Sequence, residues 1–543
     1  MSIKLLQQWA LPPTFLRFFI IILLVIGVFF RFVNLDKKVY WFDEAITSLR
    51  ISGYTESEIV KQVCNGREIG VEDLQKYQHS ALGKTLADTV TSLRVEDSQH
   101  PPLYYMMARI WVQWFGDSVA ATRSLSAVIS LLAFPCIYWL CLELFNSSLT
   151  GWVAVALIAV SPFHVLYAQE AREYSLWIVT ILLSSAALLR AMRLKTKLSW
   201  GMYASTVALG LYAYPLTGLV TIGHGIYVIA IESFRLSQRV ISYLLASLVG
   251  LLAFTPWIWV MITESDQINR TTFWLYMKSP WLVTLKNLTV FLSYFFIDFD
   301  YDLKRGTAGS ILRYTIPYLI PFILALVGYA IYFLCRNTPK QVWLFIVILC
   351  GATALPLIIP DIILGGQRSA RPRYLIPCYL SIQLAVTYLL AAQITQFSAN
   401  IWRKKFWQLV MVMLLSGGVL SCAVSSQAET WWSKYPNYYT PQLAHTINQA
   451  NHPFLIGSCS GPWPIGNKIA LSYWLDPKVR IKFVREPNIP QIPAGYSDVF
   501  LFDIPSKALG SRLEKKQNYK LEAVDPGAAI NPKLIQLWKL VKQ

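Results

Sequence analysis

Long apolar runs recur along the chain and are separated by short polar segments. Many of them approach roughly 18 to 25 residues, the length that an α-helix needs to cross the hydrocarbon core of a bilayer. The runs lie at about 15–33, 118–142, 151–167, 174–192, 202–217, 219–232, 241–262, 312–335, 342–360, 374–396 and 406–425. This pattern predicts a polytopic α-helical membrane protein with about eleven transmembrane helices.

Basic residues gather in four of the short loops between these runs. They are Arg190, Arg193, Lys195 and Lys197, then Arg235 and Arg239, then Arg336 and Lys340, and finally Arg403, Lys404 and Lys405. Short loops rich in Lys and Arg stay on the cytoplasmic side. The bias therefore predicts a cytoplasmic N-terminus, and it places 34–117, 263–311, 361–373 and 426–543 on the outer side.

The first outer segment, residues 34–117, carries more acidic than basic residues, although the whole chain has a formal charge of +18. Within it, Trp41–Ile51 and Leu103–Phe115 have apolar residues at helical spacing, with aromatic and Arg side chains at the edges. Such a pattern is typical of helices that lie in the membrane interface. We expect two interfacial helices here.

Hydropathy falls after residue 425, and the pattern changes. The β-rich runs Phe454–Cys459, Arg480–Val484 and Asp498–Asp503 are interspersed with the helical stretches Pro441–Ala450 and Ser506–Lys515. This alternation predicts a small extracytoplasmic α/β domain at 426–543, following a transmembrane unit at 1–425.

The composition excludes a water-soluble protein. Hydrophobic residues make up 55% of the chain and charged residues only 14%, whereas soluble domains carry roughly 25% charged residues. No basic and aromatic pattern of a nucleic-acid-binding domain accompanies the positive charge, so we expect the lipid bilayer and no nucleic acid as partner. The eight cysteines show no metal-ligand spacing, and a disulfide between Cys64 and Cys459 stays open because both fall in outer segments.

Four polar clusters fall at the same predicted face of the membrane. Ionisable residues at membrane depth are costly enough that a functional role is the first hypothesis. The clusters are Asp43-Glu44, the Gln99–Leu103 segment with His100, the Gln169–Tyr174 turn with Glu170 and Arg172, and Arg368, Arg371, Arg373 and Tyr374. Their convergence on one plane predicts a single site at the outer face.

Each cluster has a simpler structural interpretation beside the functional one. Asp43 suits a general base, but acids also favour the start of a helix. Glu170 and Arg172 suit a binding turn or a plain ion pair. The arginines suit a phosphate group, although they could instead be interfacial anchors. The simpler interpretation of His100, which precedes two prolines, is that it begins a helix and has no other role.

An ordered set of motifs resembles the membrane glycosyltransferases of the GT-C fold, in particular the bacterial protein O-mannosyltransferase-like and lipid A aminoarabinose transferase group. The motifs span roughly residues 15–395. They are Arg31-Phe-Val-Asn-Leu35, Tyr40-Trp-Phe-Asp-Glu-Ala45, Gln99-His-Pro-Pro-Leu-Tyr-Tyr105, Phe115-Gly-Asp117 with Arg123, Ser161-Pro-Phe-His164 through Gln169-Glu-Ala-Arg172, and Arg373-Tyr-Leu-Ile-Pro377.

The resemblance implies transfer of a sugar from a polyprenyl-phosphate carrier to a lipid, glycan or protein acceptor at the outer face of a bacterial inner membrane. It places Asp43 at the catalytic acidic position with Glu44 beside it, so both residues are assigned to the catalytic group. The substrate and donor phosphate would meet His100, Glu170, Arg172, Tyr174, Arg371, Arg373 and Tyr374. His100 stands where the aminoarabinose transferase has a lysine. Relatives differ in metal use and no ligand set is complete in this sequence, so no cofactor is assigned and a divalent metal stays open.

The residue inventory agrees with this chemistry. A sugar phosphate has a good leaving group, so one carboxylate base and several cations suffice, and a single displacement inverts the anomeric carbon. A transporter or flippase of a lipid-linked or anionic substrate is the main alternative, but it would favour charges near mid-membrane and inverted repeats. A lipid-bound sensor or scaffold is the third, and it would tolerate loss of Asp43.

Overall fold

The computed structural model describes residues 14–80, 83–300, 312–395, 401–459, 464–485, 492–493, 495–502, 519–524 and 537–542. Helices dominate this part of the chain. They are α1 (Thr14–Phe32), α2 (Phe42–Ile51), α3 (Glu56–Val63), α4 (Glu72–Gln75), α5 (Leu86–Glu96), α6 (Leu103–Phe115), α7 (Val119–Leu131), α8 (Ala133–Phe145), α9 (Ser148–Ala159), α10 (Pro162–Ala168), α11 (Tyr174–Leu194), α12 (Lys197–Ala213), α13 (Thr217–Ile231), α14 (Gln238–Thr263), α15 (Ser265–Thr271), α16 (Trp281–Ser293), α17 (Leu312–Asn337), α18 (Lys340–Ile363), α19 (Ile376–Thr395), α20 (Ile401–Gln427), α21 (Thr440–Asn448) and α22 (Pro464–Ser472).

The apolar runs coincide with these helices. Among the described residues, seven helical segments are long and apolar enough to cross a membrane, and an eighth is added if the bent pair α9 and α10 is one span. Helices α12 and α13 occupy predicted spans but have only 17 and 15 residues. The class of polytopic helical membrane protein is confirmed, while the count of eleven stays a prediction.

The α9–α10 pair bends by 60°. Helix α9 ends at Ala159, and α10 begins at Pro162. Proline cannot donate a backbone hydrogen bond and disfavours helical geometry in the residue before it, so the helix breaks at this point. The bend brings α10 into the tight 169–173 turn, where two of the predicted site residues lie.

Both helices predicted in the first outer segment are present as α2 and α6. Helix α6 leaves Trp114 76% and Phe115 58% exposed, as an interfacial helix would. Helix α2 differs, because every residue from Glu44 to Ile51 is buried. Other parts of the protein, including α22, pack around it, so protein covers this helix, and its placement in the membrane interface stays a prediction.

Strands from two distant segments build one six-stranded sheet, in the order β1-β3-β2-β4-β6-β5. The strands are β1 (Glu68–Ile69), β2 (Pro453–Ser458), β3 (Arg480–Val484), β4 (Asp498–Phe502), β5 (Tyr519–Ala523) and β6 (Leu537–Lys542). Strand β2 pairs in parallel with β3 and β4, and the other pairs are antiparallel. The three strands and the first helix predicted after residue 425 are confirmed as β2, β3, β4 and α21, and the helix predicted at 506–515 lies outside the described residues.

The segment 34–117 and the C-terminal segment share one hydrophobic core. It combines Ile59 and Val63 of α3 with Leu443 of α21 and Ile469 of α22. A disulfide joins Cys64 to Cys459 across the same contact, with 6.3 Å between their Cα atoms. Because β1 also pairs with β3, the two segments lie on the same face of the helical bundle.

Candidate active site

Asp43 lies in the first turn of α2 and faces the start of α19. Its Oδ2 is 3.0 Å from Nη1 of Arg373, and the two side chains are 16% and 13% exposed. The Arg373 guanidinium in turn lies over the rings of Trp41, Tyr174 and Tyr374, at 5.4 to 5.5 Å from their centroids. Asp43 is thus held by a cation and keeps an opening to the outside.

Glu44, the next residue, is fully enclosed. Arg123 binds both of its carboxylate oxygens at 2.7 Å, the backbone N–H of Ala171 donates at 2.9 Å, and Nζ of Lys434 is 3.2 Å away. Burial alone would raise the pKa of Glu44, but Arg123 and Lys434 outweigh it and lower the pKa to about 2. The structure gives Glu44 no open path to a substrate, unlike the role that the sequence assigned to it.

Glu170 is the second enclosed carboxylate. Its Oε1 accepts from Nζ of Lys434 at 3.0 Å and from the hydroxyl of Ser433 at 3.0 Å. Burial raises the pKa of Glu170; Lys434 opposes this, and the nearby Glu44 adds to it. Glu44, Arg123, Glu170 and Lys434 form what we term the sealed cluster, in which no residue is more than 1% exposed.

Arg172 holds the next part of the site together. It donates to the hydroxyls of Tyr105 at 3.0 Å and Thr47 at 3.1 Å, and it lies 3.2 Å from Glu173. Nδ1 of His100 is 2.9 Å from the same Glu173 oxygen. Burial opposes ionisation of Glu173, but Arg172 and His100 lower its pKa to about 2. The structure therefore brings His100 and Arg172 together through an acid that the sequence reasoning missed.

Arg371 is stacked between aromatic rings. Its guanidinium carbon is 5.2 Å from the ring centroid of Trp274 and 5.5 Å from that of Tyr435. Burial and the neighbouring Arg373 lower the pKa of Arg371. In the part of the chain that the structure describes, no carboxylate forms an ion pair with Arg371, so its charge lacks a direct counter-ion there.

We term Arg172, Arg371 and Arg373 the arginine cluster, and they share one feature with Arg109 and Arg239 elsewhere in the chain. Each has a buried Nε atom without a hydrogen-bond partner among the described residues. Buried polar groups are almost always hydrogen-bonded, so such atoms require an explanation. Two or three guanidinium groups around one opening form a geometry that binds an oxyanion such as phosphate.

The remaining predicted residues divide between two places. Tyr174 is 1% exposed and lies beneath the arginine cluster, with its ring 5.8 Å from the Arg172 guanidinium. Tyr374 packs beside Trp274 at 6.4 Å. Arg368 lies apart from the cluster in its contacts, since it pairs with Asp361 at 2.9 Å and covers the ring of Tyr276.

Sequence reasoning missed Glu173, Trp274, Lys434 and Tyr435. Glu173 was adjacent to a recognised motif, so the doubled acid of Glu170 and Glu173 was a usable signal. Lys434 and Tyr435 lie in a segment with no motif, and nothing local marked them. Across the described residues, no group of three His, Cys, Asp or Glu side chains could hold a metal ion.

The fold and this site define a polytopic membrane protein with a partly buried cationic site on one face. Residues 99–259 match a family model described as dolichyl-phosphate-mannose-protein mannosyltransferase. The match confirms the resemblance to membrane glycosyltransferases of the GT-C fold, although it covers less than half of the chain. No curated protein matches the sequence.

Several solved structures are similar in part. ArnT from Cupriavidus metallidurans, solved with bound undecaprenyl phosphate, is 12% identical, and the alignment covers 96% of this chain and 98% of that protein with a TM-score of 0.49. The Archaeoglobus fulgidus oligosaccharyltransferase in its apo form is 13% identical, and the alignment covers 95% of this chain and 68% of that protein with a TM-score of 0.48. The arabinofuranosyltransferase AftD from Mycobacteria is 14% identical, and the alignment covers 95% of this chain and 39% of that protein with a TM-score of 0.43.

Proposed function

We propose that this protein is a glycosyltransferase that moves a sugar from a polyprenyl-phosphate carrier to an acceptor hydroxyl, with inversion. The observation that carries the proposal is the arginine cluster beside Asp43. Three neighbouring guanidinium groups keep buried Nε donors without partners, and Arg371 has no ion-pair partner among the described residues, which suits an anion, and Asp43 reaches Arg373 at 3.0 Å. The family description, which names a dolichyl-phosphate sugar as donor, supports a carrier of this chemical class.

The chemistry follows from this placement. Asp43 accepts the proton of the acceptor hydroxyl as the hydroxyl oxygen bonds to the anomeric carbon. The bond from that carbon to the phosphate oxygen breaks, and its electron pair stays on the phosphate. Arg371 and Arg373 stabilise the charge that develops there, since fixed donors aimed at developing charge lower the barrier. Attack opposite the leaving phosphate gives inversion.

His100 and Arg172 contribute to binding of the donor in this scheme. Both contact Glu173, whose ionised carboxylate fixes their orientation. Arg172 also reaches the backbone oxygen of Asp43 at 3.4 Å. We assign His100 and Arg172 to the donor side of the site. The aromatic rings of Tyr174 and Tyr374 line the same side.

Glu44 and Glu170 take positioning roles in the proposal rather than direct ones. Arg123 and Lys434 bind the oxygens of Glu44, and Lys434 and Ser433 bind Oε1 of Glu170. Both side chains are 0% exposed, so neither is open to a substrate. A carboxylate with a pKa of about 2 is also a weak base at neutral pH. Asp43 is left as the base of the adjacent pair.

The proposal includes the finer topology. It has eleven spans, a cytoplasmic N-terminus, a catalytic unit at 1–425 and an extracytoplasmic unit at 426–543, in a bacterial inner membrane. The four basic loops support it. Single cysteines at Arg67 and Lys520, in a background that keeps the native disulfide, should react with an impermeant reagent added outside intact cells. Reaction only after permeabilisation would contradict the orientation.

The function is tested with purified protein in lipid nanodiscs. A panel of polyprenyl-phosphate hexoses and pentoses is added with hydroxyl acceptors, and released polyprenyl phosphate is measured. Polyprenyl phosphate should compete for binding, whereas the uncharged polyprenol should not. Movement of intact lipid-linked sugar between leaflets without cleavage would favour the flippase, and binding that ignores the phosphate would overturn the proposal.

A further inference from the structure

The segment just after α20 contacts both the sealed cluster and Arg371 of the arginine cluster. We call residues 431–438 the strap. Trp431 and Trp432 both donate to Oδ2 of Asp298, at 2.8 and 2.7 Å, and Tyr438 donates to Asp300 at 2.7 Å. The strap is therefore fixed at both ends to the loop that follows α16.

The middle of the strap enters the site. Ser433 and Lys434 donate to Glu170, and the ring of Tyr435 lies against Arg371. Lys434 is 0% exposed, with its Nζ between Glu170 at 3.0 Å and Glu44 at 3.2 Å. A buried ammonium is strongly unfavourable unless it is paired, so this position needs both carboxylates.

The charge balance shows which carboxylate depends on Lys434. The two anions and two cations of the sealed cluster cancel. Glu44 keeps Arg123 as a second partner on both oxygens. Glu170 has, among the described residues, Lys434 as its only ion-pair partner. Removing Lys434 would therefore leave one buried negative charge at Glu170.

Glu170 matters because of where it lies. It is two residues before Arg172, in the tight turn that also holds Glu173. Lys434 joins this turn to Glu44 and thus to α2, the helix that carries Asp43. This ammonium group thus adds a charged bridge to the direct hydrogen bonds of Ala171 with Glu44 and of Arg172 with Thr47, which also join the turn to α2.

The strap also completes the N-terminus of α2. Oδ1 of Asn437 accepts from the backbone N–H of Phe42 at 2.8 Å. The first N–H groups of a helix have no partner within the helix, and the N-cap residue Trp41 supplies no side-chain hydrogen bond. The partner therefore comes from the strap, directly beside Asp43.

We infer that Lys434 is a positioning residue: by neutralising Glu170 and bridging it to Glu44, it sets Asp43 on α2 against Arg172 in the turn. This inference rests on the proposed function of the same site. It assigns to the strap a part of the active site, contributed by the chain after the last long helix. Lys434 acts through the two carboxylates and contacts no reacting atom.

The test is a double-mutant cycle of Lys434→Met and Glu170→Gln. In Lys434→Met the uncompensated Glu170 should reduce transfer about a hundredfold, in line with the loss of one partner from a buried pair. Carrier-phosphate affinity should fall less than transfer, by less than about tenfold, since Arg371 and Arg373 are retained and only Arg172 lies in the affected turn. In the double variant the charge balance returns, and transfer should recover to within about tenfold of wild type.

Lys539→Met is the matched control. Lys539 pairs with Asp498 on the β-sheet, with 37% of its side chain exposed, and its loss should leave transfer unchanged. A double variant no more active than Lys434→Met, or a Lys434→Met protein within threefold of wild type, would overturn the inference. If the loss of activity came only from the missing packing of the lysine side chain, Glu170→Gln would not relieve it.

Hydrogen–deuterium exchange gives a second measurement that does not depend on any reaction. Peptides covering 42–51 and 166–176 should exchange faster in Lys434→Met and regain protection in the double variant. If the wild type transfers no sugar while exchange follows this pattern, the proposed function fails and the positioning role of Lys434 stands. Unchanged exchange in Lys434→Met overturns the positioning role whatever the activity.

Discussion

Two groups of charges meet on this face of the protein, and they differ in balance. In the sealed cluster, two carboxylates and two cations pair at 2.7 to 3.2 Å and leave no residue above 1% exposure. In the arginine cluster, Arg172 and Arg373 pair with Glu173 and Asp43, whereas Arg371 has no ion-pair partner among the described residues, and all three buried Nε atoms lack hydrogen-bond partners there. The balanced group holds elements together, while the arginine cluster keeps one positive charge without a counter-ion.

Asp43 and Glu44 show the difference most directly, because they are neighbours in the chain. Asp43 belongs to the arginine cluster through Arg373, and Glu44 belongs to the sealed cluster through Arg123. Successive residues of a helix point about 100° apart, so one turn of α2 serves both groups. The following variants separate the two.

Asp43→Asn should have the largest effect. It keeps the size of the side chain but cannot accept the proton, and removal of a general base typically lowers the rate about a hundred- to ten-thousandfold. Carrier binding should survive because the phosphate contacts lie elsewhere. Transfer and carrier binding are measured on the same preparation, with the exposed Asp36→Asn as control. Transfer within about threefold of wild type would show that Asp43 only begins a helix.

Glu44→Gln should destabilise the protein instead. Breaking a fully buried ion pair typically lowers the free energy of unfolding by about 3–5 kcal/mol. Thermal unfolding in detergent should show the loss, whereas Glu522→Gln, at an exposed position on β5, should not. A Glu44→Gln protein of normal stability that has lost transfer would return Glu44 to the catalytic role assigned from the sequence.

Arg172→Lys combined with Arg373→Lys should weaken carrier binding by about ten- to a hundredfold, since lysine cannot supply paired N–H donors to a phosphate. Because Arg172 also donates to Tyr105 and Thr47, thermal unfolding of the double variant is measured beside binding to separate loss of the site from loss of the fold. Equilibrium binding of polyprenyl phosphate is the measurement, and Arg94→Lys, exposed on α5, is the control. Full affinity in the double variant is incompatible with a phosphate site here.

A smaller, pH-dependent effect is expected at the strap. Burial raises the pKa of Asp298 to about 7, with the indole donors of Trp431 and Trp432 opposing the shift. A carboxyl whose pKa is higher in the folded state contributes stability at low pH and loses it as the pH rises through the folded value. The melting temperature should therefore fall between about pH 4 and pH 7. The fall should be weaker in Asp298→Asn, and an identical pH profile for both proteins would contradict the assignment.

Much of the architecture was predictable because it depends on local properties. Apolar length marked the helices, and the period of α6 and the β-rich runs of β2, β3 and β4 appeared where expected. The full burial of α2 was not predicted, because helical periodicity shows which residues are apolar but not what covers them. In α2 the cover comes from α22, where a side chain at Gly466 would come within 2.5 Å of Phe42.

By itself, the sequence determined the membrane class and the gathering of Asp43, His100, Arg172 and Arg373 at one predicted face, since hydropathy and loop charge are read residue by residue. Only the tertiary structure decided that Asp43 stays partly exposed while Glu44 is fully buried. It also decided that Lys434, 390 positions from Glu44 in the chain, completes the sealed cluster. Ion pairs act across space at a few ångströms, and no local pattern records which distant segment supplies the partner.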